Sequence, residues 1–306
     1  MLDFTVSTHG AELQSLVSNG REYLWHGDPA YWGRRSPILF PMVGKVYGGV
    51  YRVDGKEYPM GQHGFARDSE FEKIGERYVL TNCPRNTEFT KVGERYILAD
   101  GPRTNYPYKF ELSVHYHSEG NRLYAEWRVL NIDNKDIHFQ IGAHPALMLP
   151  DYQEEDPVHG YLQCFDGDGQ LVKQPMLSHG LDGGYLTELD APVPMPMDED
   201  GLLPITAETF AIDTFMLEHG SVKSVTLLDK ARRPYLRVGS DDTQAYGIWA
   251  PHKPGCPFVC LEPWCGITDL VGFNGELSER YLNHALKPGE KFAFTYWIEI
   301  CAEMGR

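Results

Sequence analysis

Apolar and polar residues alternate along this chain with a period of two far more often than apolar residues recur at helical spacing. Few segments hold a helical period for three turns. The alternation predicts strands over residues 4–7, 12–17, 77–80, 95–98, 109–117, 122–132, 138–143, 222–228, 235–238, 258–262 and 291–300. Turn residues separate them at Ser18-Asn19-Gly20, Val53-Asp54-Gly55-Lys56, Ser118-Glu119-Gly120-Asn121 and Asp133-Asn134-Lys135. Asp54-Gly55 and Glu119-Gly120-Asn121 carry hairpin signals. Residues 151–207 are rich in Asp, Gly and Pro and read mostly as loop, with a short strand over 161–165 anchored by Tyr161, Leu162 and Phe165. Residues 278–281 suit a short helical turn, and Pro288-Gly289-Glu290 a turn before the last strand. One internal echo stands out. Residues 73–80 (KIGERYVL) recur as residues 91–98 (KVGERYIL), followed by Pro84-Arg85-Asn86 and Pro102-Arg103-Thr104. Two copies are too few for a solenoid and read as a local duplication of a strand and its turn.

Composition narrows the class. The 306 residues suffice for a sizeable core, and the chain reads as one all-β domain over 1–306. Glycine (31) and proline (21) fit many turns, and tyrosine (18) fits strands and sugar-facing surfaces. The formal net charge of −15 comes with no basic footprint, so no nucleic-acid or membrane partner is expected. A local arginine cluster could still bind an anion. The N-terminus has no basic segment followed by an apolar run, and no stretch approaches the roughly 20 apolar residues of a membrane span. Six scattered cysteines do not form a disulfide framework. A reduced, cytoplasmic protein is the expectation.

Two segments place a proton-transfer residue at the end of an apolar run and just before a proline: Ile141-Gly142-Ala143-His144-Pro145-Ala146 and Leu261-Glu262-Pro263-Trp264. Period two puts Phe258, Cys260 and Glu262 on one face, where partial desolvation raises a carboxyl pKa and suits it to accept a proton near neutrality. Pro263 is expected to end that ladder and leave the carboxylate at an edge. In the other segment His138, Gln140, Gly142 and His144 share a side that could line a cavity, with Phe139, Ile141 and Ala143 turned to the core. Pro145 favours an extended His144, and histidine suits general acid work. Taken singly, each segment fits a structural reading better: a carboxylate paired with an arginine, and a hydrogen-bonded histidine. Gln62-His63-Gly64-Phe65-Ala66-Arg67 adds an amide, an imidazole and a guanidinium, with a glycine that permits close backbone approach.

Other chemistries fare worse. His252, Cys256, Cys260 and Cys265 could form a soft-metal site, but the spacing is not that of structural zinc and Pro257 interrupts it. No glycine-rich phosphate loop opens a helix, and there is no Gly-x-Ser-x-Gly elbow.

The motifs together resemble the aldose 1-epimerase (galactose mutarotase-like) family, in particular its divergent bacterial mutarotase-related branch. The matching pieces are Ser36-Pro37-Ile38-Leu39-Phe40-Pro41-Met42-Val43-Gly44, His63-Gly64-Phe65-Ala66-Arg67, Tyr106-Pro107-Tyr108-Lys109-Phe110, Ile141-Gly142-Ala143-His144-Pro145-Ala146 and Glu262-Pro263-Trp264. They stand in the family's order between Ser36 and Asp269. The resemblance implies a β-supersandwich of large antiparallel sheets and interconversion of the α and β anomers of a hexose or hexose phosphate, with no metal and no cofactor. It implies that Glu262 is the base at the C1 hydroxyl and His144 the acid at the ring oxygen. It places His63 near the ring oxygen or C1, and Gln62 and Arg67 at positions that contact substrate in the hexose-6-phosphate-epimerase branch. Asp213 falls where the family has a sugar-binding aspartate, with Asp190 and Asp229 in the same neighbourhood. Arg35 and Lys45 flank the Leu39-Phe40-Pro41 segment, where relatives use a basic residue; Lys45 stands where many members carry arginine. The resemblance leaves open a catalytically weak carbohydrate-binding or regulatory protein on the same fold. The expected partner is a small sugar or sugar phosphate, and the chain a monomer or homodimer.

Overall fold

The computed structural model describes residues 2–81, 89–92, 95–98, 105–177, 180–189 and 191–301. Two large antiparallel sheets dominate. The first runs in the order Leu203–Ile205, Gly160–Phe165, Ser224–Leu228, Pro234–Gly239, Lys291–Ile300, Arg122–Asn131, Phe110–Glu119, Arg77–Thr81 and Glu72–Ile74. The second runs Val193–Pro194, Met176–Leu177, Phe215–Leu217, Ala245–Trp249, Phe258–Cys265, Ile141–Ala143 and Ile38–Leu39, and Ala146–Met148 also pairs with Phe258–Cys265. A three-stranded sheet of Leu2–Val6, Leu13–Ser18 and Arg21–Glu22 sits beside them. The Asp54-Gly55 hairpin forms as expected, with both residues at positive φ between Val50–Val53 and Lys56–Pro59.

Period-two alternation decides which side chains fill the space between the sheets. Leu112 and Val114 from one long strand, Trp127 and Val129 from its partner, and Phe294 and Ile298 from the last strand are fully buried in one apolar cluster. The second sheet answers with Leu217, Ile248, Val259, Leu261, Ile141 and Ala143 in the same cluster. The alternate positions of that second sheet point away from this core. Cys260, Trp264, Ala245, Met216 and Leu39 belong to two smaller apolar clusters on the far face. That far face carries the cavity described below.

Three expectations from the sequence need correction. The strand over 138–143 is two strands: Ile137–Phe139 pairs with His284–Leu286, and Ile141–Ala143 with the second large sheet. The chain changes sheets at Gln140, whose buried side chain bridges two distant segments. Its Oε1 accepts from Val43 N–H (3.2 Å), its Nε2 donates to the Tyr281 carbonyl (2.8 Å), and its backbone N–H donates to Pro41 (2.7 Å). Gln140 therefore ties the fold together and does not line a cavity.

Pro263 does not end its strand either, because Phe258–Cys265 continues two residues beyond it. Leu261 N–H donates to the Pro145 carbonyl (3.2 Å), so Pro263, two residues on, turns its nitrogen to the same edge. That edge is where Ala146–Met148 gives way to Ile141–Ala143. The missing N–H falls at a gap in the ladder.

Residues 151–207 are mostly loop, as expected, with short strands such as Met176–Leu177 and Leu203–Ile205 on the sheet edges. Finally, the duplicated segment is not a strand plus turn. Each copy supplies hairpin strands around its Gly-Glu pair: Glu72–Ile74 with Arg77–Thr81, and Phe89–Val92 with Arg95–Leu98. The two Pro-Arg pieces that follow lie outside the described residues. The helical turn is a short 3-10 segment, Leu277–Glu279, closed by a capping box between Glu276 and Glu279.

The floor of the far face is set by one side chain lying on two glycines. Trp264 spreads over both neighbouring strands, and a Cβ at Gly142 or Gly247 would stand 2.5 or 2.3 Å from its ring. Such a Cβ would force the indole out of a buried position. Gly247→Ala is expected to cost about 1–3 kcal/mol in urea-denaturation experiments. Gly167→Ala, exposed and with only an ordinary 3.7 Å contact, should stay within roughly 0.5 kcal/mol of the parent.

Candidate active site

A cavity of about 350 Å³ opens on the far face of the second sheet. Its lining includes His144, Glu262, His63, Gln62, Arg67, Asp213 and Lys45, so seven of the eight sequence-derived candidates meet in one place. Arg35 does not line it. Its guanidinium donates to the Gln14 carbonyl (2.5 Å), and its backbone serves the neighbouring strand through the Ala146 N–H. His138 also lies elsewhere, beside Asn283.

The alternation of the Phe258–Cys265 strand delivers Glu262 and Trp264 to the cavity side while Leu261 enters the core. His144 sits at the gap between Ile141–Ala143 and Ala146–Met148, next to that strand. There its Nε2 comes within 3.2 Å of Glu262 Oε2. Glu262 thus meets an imidazole, not an arginine. Both groups are nearly sealed from water, at 6% and 1% exposure. His144 Nδ1 and Glu262 Oε2 have no aligned hydrogen-bond partner, which is costly for buried polar atoms and points to a functional demand on them. Cys260 Sγ completes a buried trio within 4.8 Å.

Burial governs the protonation of the pair. It pushes the Glu262 carboxyl well above the usual carboxylate range; the Trp264 indole opposes this and the negative Asp213 adds to it. Burial lowers His144 to about 3, helped by the positive field of Arg67 and Arg34. Both shifts favour the neutral form, so the pair holds one proton over a wide range of pH.

The walls fix the remaining groups. His63 adopts a positive φ (65°), and its Nδ1 accepts the Gly44 N–H (3.1 Å). Burial, then the nearby His144 and Arg67, hold its pKa well below the ordinary value. The Gln62 amide nitrogen stands 3.2 Å from the other ring nitrogen, Nε2. Gly64 allows this turn, since a Cβ there would stand 2.2 Å from the Phe40 carbonyl oxygen. Arg67 donates to the Gln62 carbonyl (2.7 Å), and its Nε lies 3.7 Å from Asp68 Oδ2. Burial, and then Arg34, bring its pKa down to about 10. Lys45 is tethered through its backbone N–H to Thr268 (3.0 Å) and through its ammonium to the Gly183 carbonyl (2.6 Å). Asp213 stands exposed at the rim at positive φ (77°). Of the other aspartates weighed, Asp229 is engaged by Arg233 (2.7 Å), and Asp190 lies outside the described residues.

Sequence reasoning missed Trp32, Trp249, Met216, Thr214 and Gly184 as lining residues. Trp32 stacks on His144 (4.7 Å, 23°), and Trp249 meets the same ring edge-on (5.8 Å, 79°). Nothing local marks Trp32, which arrives on the loop before Arg34. Trp249 sits at the end of a strand whose period-two alternation assigns it to the face opposite Ile248. The four-residue metal reading fails on placement. His252 meets Glu208 (3.2 Å), while Cys265 donates to the Asp242 carbonyl (3.0 Å) and lies on the core side of the strand that turns Cys260 the other way.

A family model for aldose 1-epimerase matches residues 2–299. The chromosomal form of protein LacX from Lactococcus lactis subsp. lactis is 30% identical over 270 residues, covering 85% of this chain and 84% of that protein. A solved galactose mutarotase related enzyme from Lactobacillus acidophilus superposes with a TM-score of 0.80 at 28% identity, covering 99% of this chain and 95% of the other. A galactose mutarotase-like protein from Lactobacillus casei gives 0.81 at 26% identity, with 98% and 97% coverage. With its paired antiparallel sheets and a match along nearly its whole length, the chain belongs to the aldose 1-epimerase family.

Proposed function

We propose that this protein interconverts the α and β anomers of a hexose or hexose phosphate, with Glu262 and His144 as the proton-transfer pair. The observation that carries the reading is the 3.2 Å contact between two buried ionisable groups on the floor of a cavity lined by Trp32, Trp249 and Trp264. The cavity volume lies at the small end of ligand pockets, roughly 300–1,000 Å³, a size suited to one sugar ring. Indole faces suit the apolar C–H face of a sugar, and the His63, Gln62, Arg67 and Asp213 groups suit its hydroxyls. Arg67 and Lys45 are the cations available to a phosphate. Cys164, Cys256, Cys260, Cys265 and Cys301 are free thiols, which supports a reducing, cytoplasmic setting.

The chemistry balances within the pair. Ionised Glu262 takes the C1 hydroxyl proton, the C1–O5 bond breaks as the C1 carbonyl forms, and protonated His144 gives its proton to O5. Rotation about C1–C2 and closure on the other face reverse both transfers. The ionised form is reached from the neutral form by moving one proton across the 3.2 Å contact. The neutral form favoured by burial is the one the pair carries opposite the open-chain aldehyde.

Polarimetry or NMR exchange on pure α-glucose, α-galactose and glucose-6-phosphate is the direct test. At least one sugar should equilibrate faster than the buffer control. If none does, the anomerase reading fails and a binding role on the same fold takes its place. Glu262→Gln and His144→Asn are each expected to lower kcat by about 10²–10⁴-fold; unchanged rates in both would remove the assigned roles.

The pH profile follows from the two shifts. His144, depressed to about 3, takes a second proton only in acid. Glu262, raised by burial, loses the pair's one proton only well above the usual carboxylate range. Above that acid limit the pair keeps its single proton, so kcat/KM should not fall as the pH is lowered through 6.5 to about pH 5. A loss of activity on acidification centred near pH 6.5, the value of an ordinary imidazole, would contradict the depressed His144.

A further inference from the structure

The outer face of the nine-stranded sheet carries a second constellation, on the far side of the core from the cavity. His115 and His117 alternate along Phe110–Glu119 with Val114 and Tyr116, which are buried in the core, so both imidazoles point outward. The register sets Glu126 directly opposite His115, and Tyr124 opposite His117. One nitrogen from each imidazole and one Glu126 oxygen all lie within 4.8 Å of one another. The His117 ring stacks between His115 (5.2 Å, 22°) and Tyr124 (5.1 Å, 11°), which restricts its rotation.

The two histidines are oriented alike. His115 turns Nε2 toward Glu76 (3.5 Å) and His117 turns Nε2 toward Glu119 (4.0 Å). In both rings Nδ1 is buried with no hydrogen-bond partner; His115 Nδ1 lies 3.5 Å from Glu126 Oε2 without the alignment of a hydrogen bond. With the proton of a neutral imidazole on Nε2, the Nδ1 lone pair is the one open to a Lewis acid. Two imidazoles and a carboxylate gathered from adjacent strands, with Glu76 near the outer nitrogen of His115, offer a metal-ligand set.

We propose that His115, His117 and Glu126 bind a divalent transition ion of the zinc class. Two imidazoles and a carboxylate suit a borderline cation in tetrahedral geometry, with a fourth position left to water. Bond lengths of about 2.0–2.2 Å require donors roughly 3.4 Å apart, so the two near-parallel rings have to turn out of their stack to face one ion while the strands stay fixed. Arg77 (3.9 Å) and Arg128 (3.8 Å) flank the same Glu126 oxygen and compete with the cation for it. Both are partly exposed, and binding has to displace them from Glu126.

The test uses the full chain, freed of metal by a chelator and desalted, then titrated with Zn²⁺ by calorimetry and with Co²⁺ by absorption. One ion per chain is expected, with visible Co²⁺ bands and no thiolate charge-transfer band. His115→Ala and His117→Ala should each weaken binding by more than 10-fold. Glu76→Gln should weaken it by about 10-fold through the outer carboxylate, an effect that loss of a ligand does not explain. His117→Gln provides a second ligand-removing variant if an alanine form fails to fold, as judged by circular dichroism. No binding, or folded variants that titrate like the parent, would overturn the proposal. So would a thiolate band that disappears in Cys260→Ser, because it would place the ion on His144, Cys260 and Glu262 in the cavity.

Discussion

The Phe258–Cys265 strand lies inside its sheet, and the site depends on one break along one of its edges. Ala245–Trp249 pairs with it on one side. On the other, the partner changes from Ala146–Met148 to Ile141–Ala143, with His144 and Pro145 at the change. An unbroken partner strand would cover that edge with a regular ladder. The break brings the His144 imidazole within reach of a carboxyl on the neighbouring strand. Pro263, which cannot donate to a ladder, turns its nitrogen to this edge, so the gap costs the sheet no lost N–H at that position. Backbone pairing and side-chain chemistry are therefore one arrangement here.

The same placement sets the electrostatics. Water is excluded from both members of the pair, and an arginine-bearing wall stands on the His144 side. Charge separation in such a place is unfavourable unless a ligand supplies hydrogen bonds to it. Burial favours the neutral form of both groups, and the proposed sugar would supply the polar contacts that make the ionised form accessible. The protein's net charge of −15 has little bearing on this, since the groups that matter are local and buried.

Much of the architecture was legible because period-two alternation is a local property. It placed Phe258, Cys260 and Glu262 together and sent Ile141 and Ala143 to the core. It failed at Gln140, where a buried amide bonded to two distant segments overrides the pattern and moves the chain between sheets. It misjudged Pro263 because proline inside a strand normally marks an edge, and the gap that accommodates it is a tertiary feature. Arg35 was placed near the site by sequence adjacency, yet its side chain folds back onto Gln14. Trp32 carried no signal, since a loop tryptophan declares its neighbours only once the loop is seated. The convergence of His144 with Glu262 across 117 intervening positions could not come from spacing and rested on resemblance.

The indole that lies across Gly142 and Gly247 has a thermodynamic consequence. A catalyst cannot alter the ratio of two anomers at equilibrium, so one that held either too tightly would slow itself in one direction. A flat aromatic floor with no Cβ projecting beside it meets the ring of a sugar through contacts that do not depend on which way the C1 hydroxyl points. For the proposed reaction such a surface would be even-handed. It would hold the part of the molecule that stays the same and leave the centre that inverts to the pair at its edge.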